Sequence, residues 1–409
     1  MGHKSIIEHD YLVFGLCDVT PIIEQTIIGT RLSSFTIKSR REVDFRTAGY
    51  YVPKFRDKDG RENTNLKEIT KEYKDHMQYL FNCYGDIVDL GISVEDARFV
   101  LPYCYHSNII MGLDARQLER MIVFFTKGYL SKIQELKEFG EKLQELVKEY
   151  VPYLIPGLEE VETNLETGFE YLEKNIDRPE IKILSEPKLI SYTSNCDDVI
   201  ILSYIMYHYQ CSLEQATNIL KDLEKENKNI KSEFMQIIMH KDERRELEQV
   251  SFTYQIPISL SILTHLTRHR MHSLLVPEFL PLWDMNNYII PATIQGNSKA
   301  LEIYKEAVHK NIEVFEKFKE EVYDEDLIYF YLGAQMLNVM TTMNARTLQW
   351  ISRMRCCNKA QWQIRQIAWG MVNEAKKVAP LLGKGLGPTC MTDKYCGEGK
   401  ESCGLINKI

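Results

Sequence analysis

Three consecutive cationic side chains follow a short apolar stretch of the sequence. Arg268-His269-Arg270 comes directly after residues 256–267, which are largely apolar. Arginine binds phosphate through a planar fork and stacks on aromatic rings, and histidine can bond a ring or phosphate oxygen. The end of a helix also favours basic residues through its dipole. The spacing alone therefore allows either an anion site or a solvated helix end, and by itself it favours the helix end.

A second group of arginines shifts this balance towards a ligand site. Its members are Arg346, Arg353, Arg355 and Arg365. The residues between them are unlike those of an exposed helix, and they include Trp350, Cys356, Cys357 and Trp362. Because a buried charge without a partner is costly, arginines in an apolar segment usually face a ligand or a partner. A solvated helical face remains the alternative.

The N-terminal half of the chain contains fewer candidate ligand-binding residues. Arg31 is followed, after seven residues, by Ser39-Arg40-Arg41, and Arg116 lies further along. Taken alone, these residues are typical of a protein surface.

The chain contains an internal repeat. Five short segments recur in the same order, at an offset that drifts only from 240 to 230 residues. The matched pairs are 8–14 with 248–254, 31–34 with 270–273, 49–53 with 287–291, 95–96 with 325–326, and 114–118 with 344–348. This agreement predicts a tandem duplication, with one copy over residues 1–180 and the other over 181–409.

Each copy has the pattern of a small sheet covered by helices. Residues 11–16 and 252–258 alternate like half-buried strands, and Thr20-Pro21 is typical of a helix start. Apolar stripes at helical spacing predict helices at 133–150, 297–322, 328–343 and 360–378. We therefore predict the α+β class, with two helix-rich copies that each contain a small antiparallel or mixed sheet.

The second copy has an extension that the first copy lacks. Residues 188–193 predict a strand, and residues 197–209 predict a helix after it. The first copy begins at Gly2-His3 with no counterpart, so we expect its sheet to lack the first strand.

These segments together resemble the flavin-dependent thymidylate synthases. The signature of that family is Arg-His-Arg, seven residues, and then Ser-x-Arg. Residues 2–9 match a Gly-His-x-Ser-x-x-Glu-His segment that precedes the signature. Asn344-Ala345-Arg346 and the Ala-Gln-Trp-Gln-Ile-Arg run at 360–365 match two later elements. The resemblance covers nearly the whole chain, twice, and implies the helix-rich α+β fold of that family.

The first copy keeps only the second part of the signature. Arg31, Ser39 and Arg41 are present, but Gly29-Thr30 replaces the leading Arg-His. The first copy also has no Ala-Gln-Trp-x-Ile-Arg element. By the resemblance, its remaining residues are those that hold the nucleotide.

The second copy keeps the complementary part. It retains Arg268-His269-Arg270 and the later elements, but it has Glu278 and Leu280 where the signature has Ser and Arg. In the family each active site lies between subunits of a homotetramer. The losses therefore predict one composite site shared by the two copies, and a homodimer of this chain that forms a pseudo-tetramer.

The resemblance also implies the ligands and the residues that hold them. We expect FAD as the cofactor, NADPH and methylenetetrahydrofolate as co-substrates, and dUMP as the nucleotide that is converted to dTMP. The implied flavin-binding residues are Ser251, Arg268, His269, Arg270, Arg353 and Arg355. The implied dUMP-binding residues are Ser39, Arg41, Arg116, His265, Arg268 and Arg365.

Two of these residues are our catalytic candidates. Arg365 would stabilise the uracil ring when it is deprotonated at N3, because a guanidinium favours negative charge that develops nearby. Ser39 would position the substrate, and no pattern of nucleophile and base is evident around it. The alternative is a degenerate protein that binds flavin or nucleotide, or assembles with a partner, without catalysis.

Composition and cysteine spacing limit the partners that the protein can have. The net charge of −8 argues against a nucleic-acid partner, since binding along a phosphate backbone requires a basic face. The sequence shows neither a targeting signal nor an apolar span, so we expect no membrane contact and a cytoplasmic location. The spacing of Cys390, Cys396 and Cys403 is not that of a zinc pair, and it favours a structural loop or oxidisable thiols over a metal site.

Overall fold

The protein is described here from a computed structural model. The structure describes residues 4–63, 65–154, 158, 168–177, 179–279 and 283–408. The chain forms two compact units, each built from two stretches of sequence. The N-terminal unit contains residues 1–182 and 278–335, and the C-terminal unit contains residues 183–277 and 336–409. Gly2, His3 and Leu280, which entered the sequence comparison, lie outside the described residues.

The strands and helices follow in chain order. Up to residue 182 they are β1 (Tyr11–Val19), α1 (Pro21–Ile28), β2 (Ser33–Ile37), α2 (Leu66–Asp89), α3 (Val94–Ala97), β3 (Ser107–Asp114), α4 (Ala115–Thr126), α5 (Gln134–Tyr150) and α6 (Gly168–Asn175). From residue 183 to 335 they are β4 (Lys188–Tyr192), α7 (Cys196–Tyr209), α8 (Leu213–Glu226), α9 (Ile230–His240), β5 (Ser251–Ser259), α10 (Leu260–Thr267), β6 (Ser273–Leu275), α11 (Ala292–Gln295) and α12 (Ser298–Glu321). The remainder are β7 (Met336–Asn344), α13 (Ala345–Arg355), α14 (Trp362–Val378), α15 (Pro380–Lys384) and α16 (Thr389–Thr392).

The N-terminal unit contains an antiparallel sheet of three strands in the order β1-β3-β2. The Thr20 hydroxyl accepts a hydrogen bond from the N–H of Ile22 at 3.2 Å and so caps α1, which confirms the predicted helix start. The edge of β1 away from β3 has no strand against it among the described residues. The missing first strand of the first copy stays a prediction.

Two long helices, α2 and α12, pack against each other in the N-terminal unit. His76 on α2 bonds Asn311 on α12 through its Nε2 at 2.9 Å, and the Asn311 amide donates to the Phe330 carbonyl at 2.9 Å. The stretch of chain that follows α2 also bonds to the stretch that follows α12. The N–H of Tyr103 donates to the Tyr331 carbonyl at 2.7 Å. These contacts explain why residues 283–335 belong to the same compact unit as the N-terminal part of the chain.

The segments around Asp96 and Asp326 each bond to a residue of the other half of the chain. Arg56 forms an ion pair with Asp326 at 2.6 Å, and Thr293 donates to Asp96 at 2.6 Å. Asp96 and Asp326 are matched positions of the repeat, so each segment offers its aspartate to the other. The tandem duplication and the copy boundary at 180/181 stay predictions, and the compact units divide the chain differently.

The C-terminal unit contains an antiparallel sheet of four strands in the order β4-β5-β7-β6. Helix α14 packs against β4 and β5, and the buried Tyr254 on β5 donates its hydroxyl to the Met371 carbonyl at 3.1 Å. The added strand and helix predicted for the second copy are confirmed as β4 and α7. With the two small sheets and their helices, the α+β class is confirmed.

One predicted helix is wrong. Residues 328–343 were expected to be helical, but they contain a 3-10 turn that ends at Phe330, a short connection, and then strand β7. Val339, Thr341 and Thr342 are β-branched, and along β7 buried and more exposed side chains alternate at a period of two. The helices predicted at 133–150, 297–322 and 360–378 are confirmed within a few residues. None of the described helices is long and apolar enough to cross a membrane.

A buried carboxyl in the N-terminal unit gives a first prediction. Glu135 accepts hydrogen bonds from the Thr20 hydroxyl at 2.8 Å and the Tyr329 hydroxyl at 3.0 Å, and its burial raises its pKa from 4.5 to about 7. Between pH 4.5 and pH 7, Glu135 therefore holds its proton more tightly in the folded protein than in the unfolded chain. This contribution to stability, about 3 kcal/mol, is therefore present below pH 4.5 and lost as the pH rises to 7.

We expect Glu135→Gln to remove that part of the pH dependence. Urea unfolding between pH 4.5 and 8 measures it, with Glu141→Gln, at an exposed carboxyl of the same helix, as the control. A Glu135→Gln protein that keeps the wild-type slope would contradict the assignment.

Candidate functional site

Helix α10 and the loop after it present the cationic cluster. The helix is buried along almost its whole length, and Arg268 is its C-terminal cap. Arg268 and Arg270 are exposed, whereas His269 between them is buried. The apolar helix therefore holds the loop firmly and leaves the two guanidinium groups accessible from solvent. This is the arrangement that an anion or a planar ring requires.

His269 connects this cluster to α13. The Arg355 Nε–H donates to His269 Nε2 at 2.9 Å, so the histidine accepts at Nε2 and carries its own hydrogen on Nδ1. Burial, followed by the nearby Arg355, lowers the pKa of His269 to about 3. His269 is therefore a neutral acceptor at physiological pH, and it fixes the end of α13 against the loop.

The neutral state of His269 gives a second prediction. Its pKa is lower in the folded protein than the ordinary value of 6.5, so the unfolded chain takes up the proton first as the pH falls. The contribution to stability, up to about 5 kcal/mol, is complete above pH 6.5 and is lost progressively towards pH 3.

We expect His269→Gln, which keeps an acceptor for Arg355, to flatten the loss of stability between pH 6.5 and 4. Chemical denaturation across this range measures the effect. His309→Gln, at an exposed histidine that forms only a surface ion pair, is the control. An unchanged slope in His269→Gln would show that His269 titrates normally.

Helix α13 begins with the Asn-x-Arg element. The Asn344 side chain accepts from the N–H of Thr347 at 2.9 Å and caps the helix, and Arg346 in the first turn forms an ion pair with Glu248 at 2.5 Å. The first copy repeats this arrangement. There Asp114 caps α4 through the N–H of Gln117, and Arg116 forms an ion pair with Glu8.

The second arginine group lies on two helices, α13 and α14, with a break between residues 356 and 361. Gln361 ends this break by accepting from the N–H groups of Gln363 and Ile364, and so it caps α14. Arg365 in the first turn of α14 donates from Nη1 to the Asn358 carbonyl at 2.9 Å. The side chain of Arg365 is therefore oriented by the loop between the helices.

Arg353 differs from the other arginines of the group. Its side chain is 9% exposed and forms an ion pair with Asp393 at 2.8 Å. Burial lowers its pKa, and Asp393 opposes that effect. Arg353 thus holds the C-terminal segment on α13, and in this structure it points into the protein.

Ser251 and His265 complete the predicted residues of this unit. Ser251 begins β5 opposite Asn344, and β6 begins opposite Thr342, so the loop at 268–272 and Ser251 lie at the same end of the sheet. The Thr347 hydroxyl, which donates to the Met271 carbonyl at 3.5 Å, ties α13 to that end. His265 lies on α10, where it is buried.

The N-terminal unit carries the remaining predicted residues. The N–H of Arg41 donates to the Ser39 hydroxyl at 3.3 Å, which places both residues in one turn after β2. The Arg41 guanidinium forms an ion pair with Glu95, as Arg116 does with Glu8. Both arginines are therefore held by carboxylates that an anionic ligand would have to displace or share.

Sequence reasoning missed a buried polar cluster next to Ser39. Arg40 is buried and bonded to Glu24 and to the Tyr105 hydroxyl. Burial lowers the Arg40 pKa, but the combined attraction of Glu24, Tyr105 and Tyr103 raises it above the ordinary value. Arg98 lies close by, and burial together with Arg40 lowers its pKa to about 10. The one charged residue in the apolar run of α1, Glu24, was the available signal, because a buried carboxylate needs a cation.

The comparisons with known proteins identify the family of the chain. A family model described as thymidylate synthase complementing protein matches residues 1–153 and 188–381. The matched residues make up most of the chain, so the chain belongs to this family. Its class is that of the flavin-dependent thymidylate synthases, and it is a methyltransferase enzyme of that class.

Curated relatives carry the same class name. The flavin-dependent thymidylate synthase of Clostridium tetani is 32% identical over 237 residues, which cover 53% of this chain and 92% of the relative. The enzyme of the same name from Saccharolobus solfataricus is 32% identical over 210 residues, covering 50% of this chain and 77% of the relative. Among solved structures, a UMP/dUMP methylase, PolB from Streptomyces cacaoi, matches with a TM-score of 0.39 and 13% identity, covering 48% of this chain and 92% of PolB.

Proposed function

We propose that the protein converts dUMP to dTMP, with FAD as the redox cofactor and with methylenetetrahydrofolate and NADPH as co-substrates. The observation that carries the proposal is the cluster in which Arg268 and Arg270 reach solvent beside a neutral His269 bonded to Arg355. It lies in a chain whose family consists of enzymes with this class name.

The cationic cluster fits the demands of a flavin. FAD carries a planar ring and a pyrophosphate, and guanidinium groups can stack on the ring and bind the phosphates in bidentate fashion. We assign Arg268, Arg270 and Arg355 to these contacts and His269 to the support of Arg355. FAD supplies hydride transfer, the part of the chemistry that side chains cannot provide.

Ser251 and Arg353 were also expected to bind the cofactor. Ser251 lies at the same end of the sheet as the cluster and can reach a long ligand there. Arg353 would have to leave Asp393 to touch a ligand, so its proposed role is to hold the end of α13 in place.

Arg365 is the proposed catalytic cation. Its hydrogen bond to the Asn358 carbonyl fixes one edge of the guanidinium, and a fixed cation stabilises an anion without reorganisation when charge develops. The uracil ring deprotonated at N3 is the anion in question. His265 and Arg268 are proposed to contact the same nucleotide.

Ser39, Arg41 and Arg116 are proposed to bind dUMP as well, on its phosphate or ribose side. Ser39 and Arg41 belong to the part of the signature that the first copy retains and the second has lost, and Arg116 stands where the family has the arginine of its Asn-x-Arg element. Nucleotide binding then requires both sets of residues. A homodimer that acts as a pseudo-tetramer is the assembly that we propose.

The assay for this function follows dUMP tritiated at C5. Methylation replaces the hydrogen at C5, so tritium is released to water only if the ring is alkylated. We expect release that depends on FAD, NADPH and methylenetetrahydrofolate together, and growth of a thymidine-requiring bacterium that expresses the chain. A protein that takes up FAD and dUMP but releases no tritium would contradict the proposal.

That failure would instead support a nucleotide-binding protein without catalysis. The ion pairs of Arg41 with Glu95 and of Arg116 with Glu8 favour this second candidate, because they satisfy the cations that a phosphate would otherwise use. Flavin absorbance without turnover, together with dUMP binding in calorimetry, would identify it.

A further inference from the structure

Arg98 is a buried cation with an incomplete set of partners. It is the C-terminal cap of α3, and only 4% of its surface is exposed. Its Nε–H donates to the Glu95 carbonyl at 3.0 Å, but its Nη2 has no hydrogen-bond partner among the described residues. A buried guanidinium with an unbonded N–H group is costly, because its hydration is lost and not replaced. Such a donor requires an anionic or polar partner.

The charges around Arg98 leave it short of negative charge. Arg40 takes the Glu24 carboxylate, and Arg41 takes the Glu95 carboxylate. Burial lowers the pKa of Arg98, Arg40 lowers it further, and Glu95 opposes both. Among the described residues, three neighbouring guanidinium groups therefore share two carboxylates. The guanidinium that lacks one, Arg98, is the most buried of the three.

Glu95 connects Arg98 to the proposed phosphate-binding residue Arg41. The Glu95 carboxylate forms the ion pair with Arg41, and the Glu95 main-chain carbonyl accepts from Arg98. Glu95 and Arg98 are three residues apart in consecutive turns, since α3 continues into the 3-10 turn Arg98–Val100. Side chains at this spacing lie on the same face of the helix. A rotation of the Glu95 side chain can therefore carry its carboxylate from Arg41 to Arg98.

The backbone that carries both residues is held firmly, whereas the ion pair is accessible. Ala97 and Phe99 are fully buried, and Asp96 accepts a hydrogen bond from the Thr293 hydroxyl at 2.6 Å. The side chains of the ion pair are 33% exposed for the arginine and 23% for the glutamate. An anion from solvent can therefore reach the ion pair without any movement of the main chain.

The two copies differ at these positions in a consistent way. The repeat matches residues 95–96 with 325–326, and the same offset matches Arg98 with Ile328, which is buried. The second copy also has Leu280 at the position of Arg41. A packed apolar residue in place of a buried charge is often neutral or stabilising. Packing alone therefore does not explain why the copy that keeps Arg41 carries a buried arginine here.

We propose that Arg98 is a positioning residue that receives the Glu95 carboxylate when a phosphate monoester binds Arg41. The phosphate takes the fork of the Arg41 guanidinium, and Glu95 rotates to the unbonded Nη2 of Arg98. Both anions then keep a cation, so the exchange of partners leaves no buried charge unpaired. The inference rests on the proposed function for the identity of the phosphate monoester, dUMP.

This exchange makes phosphate affinity depend on a residue that does not touch the phosphate. Without Arg98, the displaced Glu95 carboxylate has no cation to receive it, and phosphate binding bears that cost. Without the charge of Glu95, nothing has to be received. The effect of Arg98 on the Kd for phosphate should therefore exist only while residue 95 is a carboxylate.

The test is a double-mutant cycle on the full-length protein, with and without FAD, by calorimetry with dUMP and separately with inorganic phosphate. We expect Arg98→Met to raise the Kd for both ligands roughly tenfold, a loss within the range for coupled neighbouring residues. In the Glu95→Gln background the same substitution should change the Kd by less than about twofold. Arg98→Lys keeps the charge and should recover most of the affinity. Arg46→Met, at a more exposed arginine of the same unit, should bind like the wild type.

Equal losses in the two backgrounds would show that Arg98 contacts the phosphate itself or only supports the fold, and would overturn the proposal. No loss in either background, or a wild type that binds neither dUMP nor inorganic phosphate, would overturn it as well. Turnover of dUMP without this coupling would overturn the exchange and leave the proposed function intact. Coupling with inorganic phosphate in a protein that releases no tritium would contradict only the proposed function.

Crystals of the wild-type chain cover the case in which Arg98→Met does not fold. Soaking with inorganic phosphate should place a phosphate on Arg41 and the Glu95 carboxylate on Nη2 of Arg98. A bound phosphate with Glu95 still on Arg41, or with Glu95 turned to solvent, would overturn the proposal.

Discussion

Replacing Arg365 with alanine is expected to lower the rate of dTMP formation by roughly 10²- to 10³-fold, the usual loss when one group that stabilises a developing anion is removed. The structure gives the reason, because Arg365 is held by the Asn358 carbonyl in a fixed orientation. Tritium release from dUMP at saturating substrate measures the rate. Calorimetry should also show weaker binding of dUMP to the same variant.

Two control variants make the Arg365 result specific. Arg365→Lys keeps the positive charge but loses the planar fork, so it should recover only part of the activity. Gln366→Ala changes an exposed neighbour on α14 and should behave like the wild type. Full activity in Arg365→Ala would remove Arg365 from the catalytic residues.

Arg41→Ala is expected to raise the Kd for dUMP by roughly 30-fold or more, equivalent to about 2 kcal/mol for loss of a charge-assisted contact. Its uptake of FAD should remain that of the wild type, because we assign the flavin contacts to the C-terminal unit. Calorimetry with dUMP and the absorbance spectrum of bound flavin measure the two quantities separately.

The ion pair of Arg41 supplies a second variant. Glu95→Gln removes the carboxylate that holds Arg41, so it should bind dUMP at least as tightly as the wild type does. Arg61→Ala, at an exposed arginine of the same unit, is the neutral control. Weak flavin binding in Arg41→Ala, or equal losses in Arg41→Ala and Arg61→Ala, would contradict a direct role for Arg41.

Local patterns predicted much of the fold. The Thr20-Pro21 helix start, strands β1 and β5, and the added strand β4 follow from capping chemistry and from alternation along the chain. The helix predicted at 328–343 was wrong because several apolar residues in this short segment fit both the helical period of about 3.6 and the strand period of two. Val339, Thr341 and Thr342 are β-branched, and such residues favour a strand over a helix.

The sequence predicted those parts of the site in which several functional residues are adjacent along the chain. Arg268-His269-Arg270 and Asn344-Ala345-Arg346 could be identified as a cluster and a capped helix start. The bond from Arg355 to His269 could not, because it joins residues 86 positions apart. For the same reason the sequence did not show that Arg41 faces Glu95.

The break between α13 and α14 illustrates the same limit. Such a break depends on tertiary packing, which local periodicity does not report.

The stoichiometry of dUMP binding tests the shared use of both copies most directly. Titration calorimetry on the FAD-loaded protein should give one dUMP per 409-residue chain, with binding weakened in Arg41→Ala and in Arg365→Ala alike. Two dUMP molecules per chain, or full binding by either variant, would contradict a nucleotide site that needs residues from both copies.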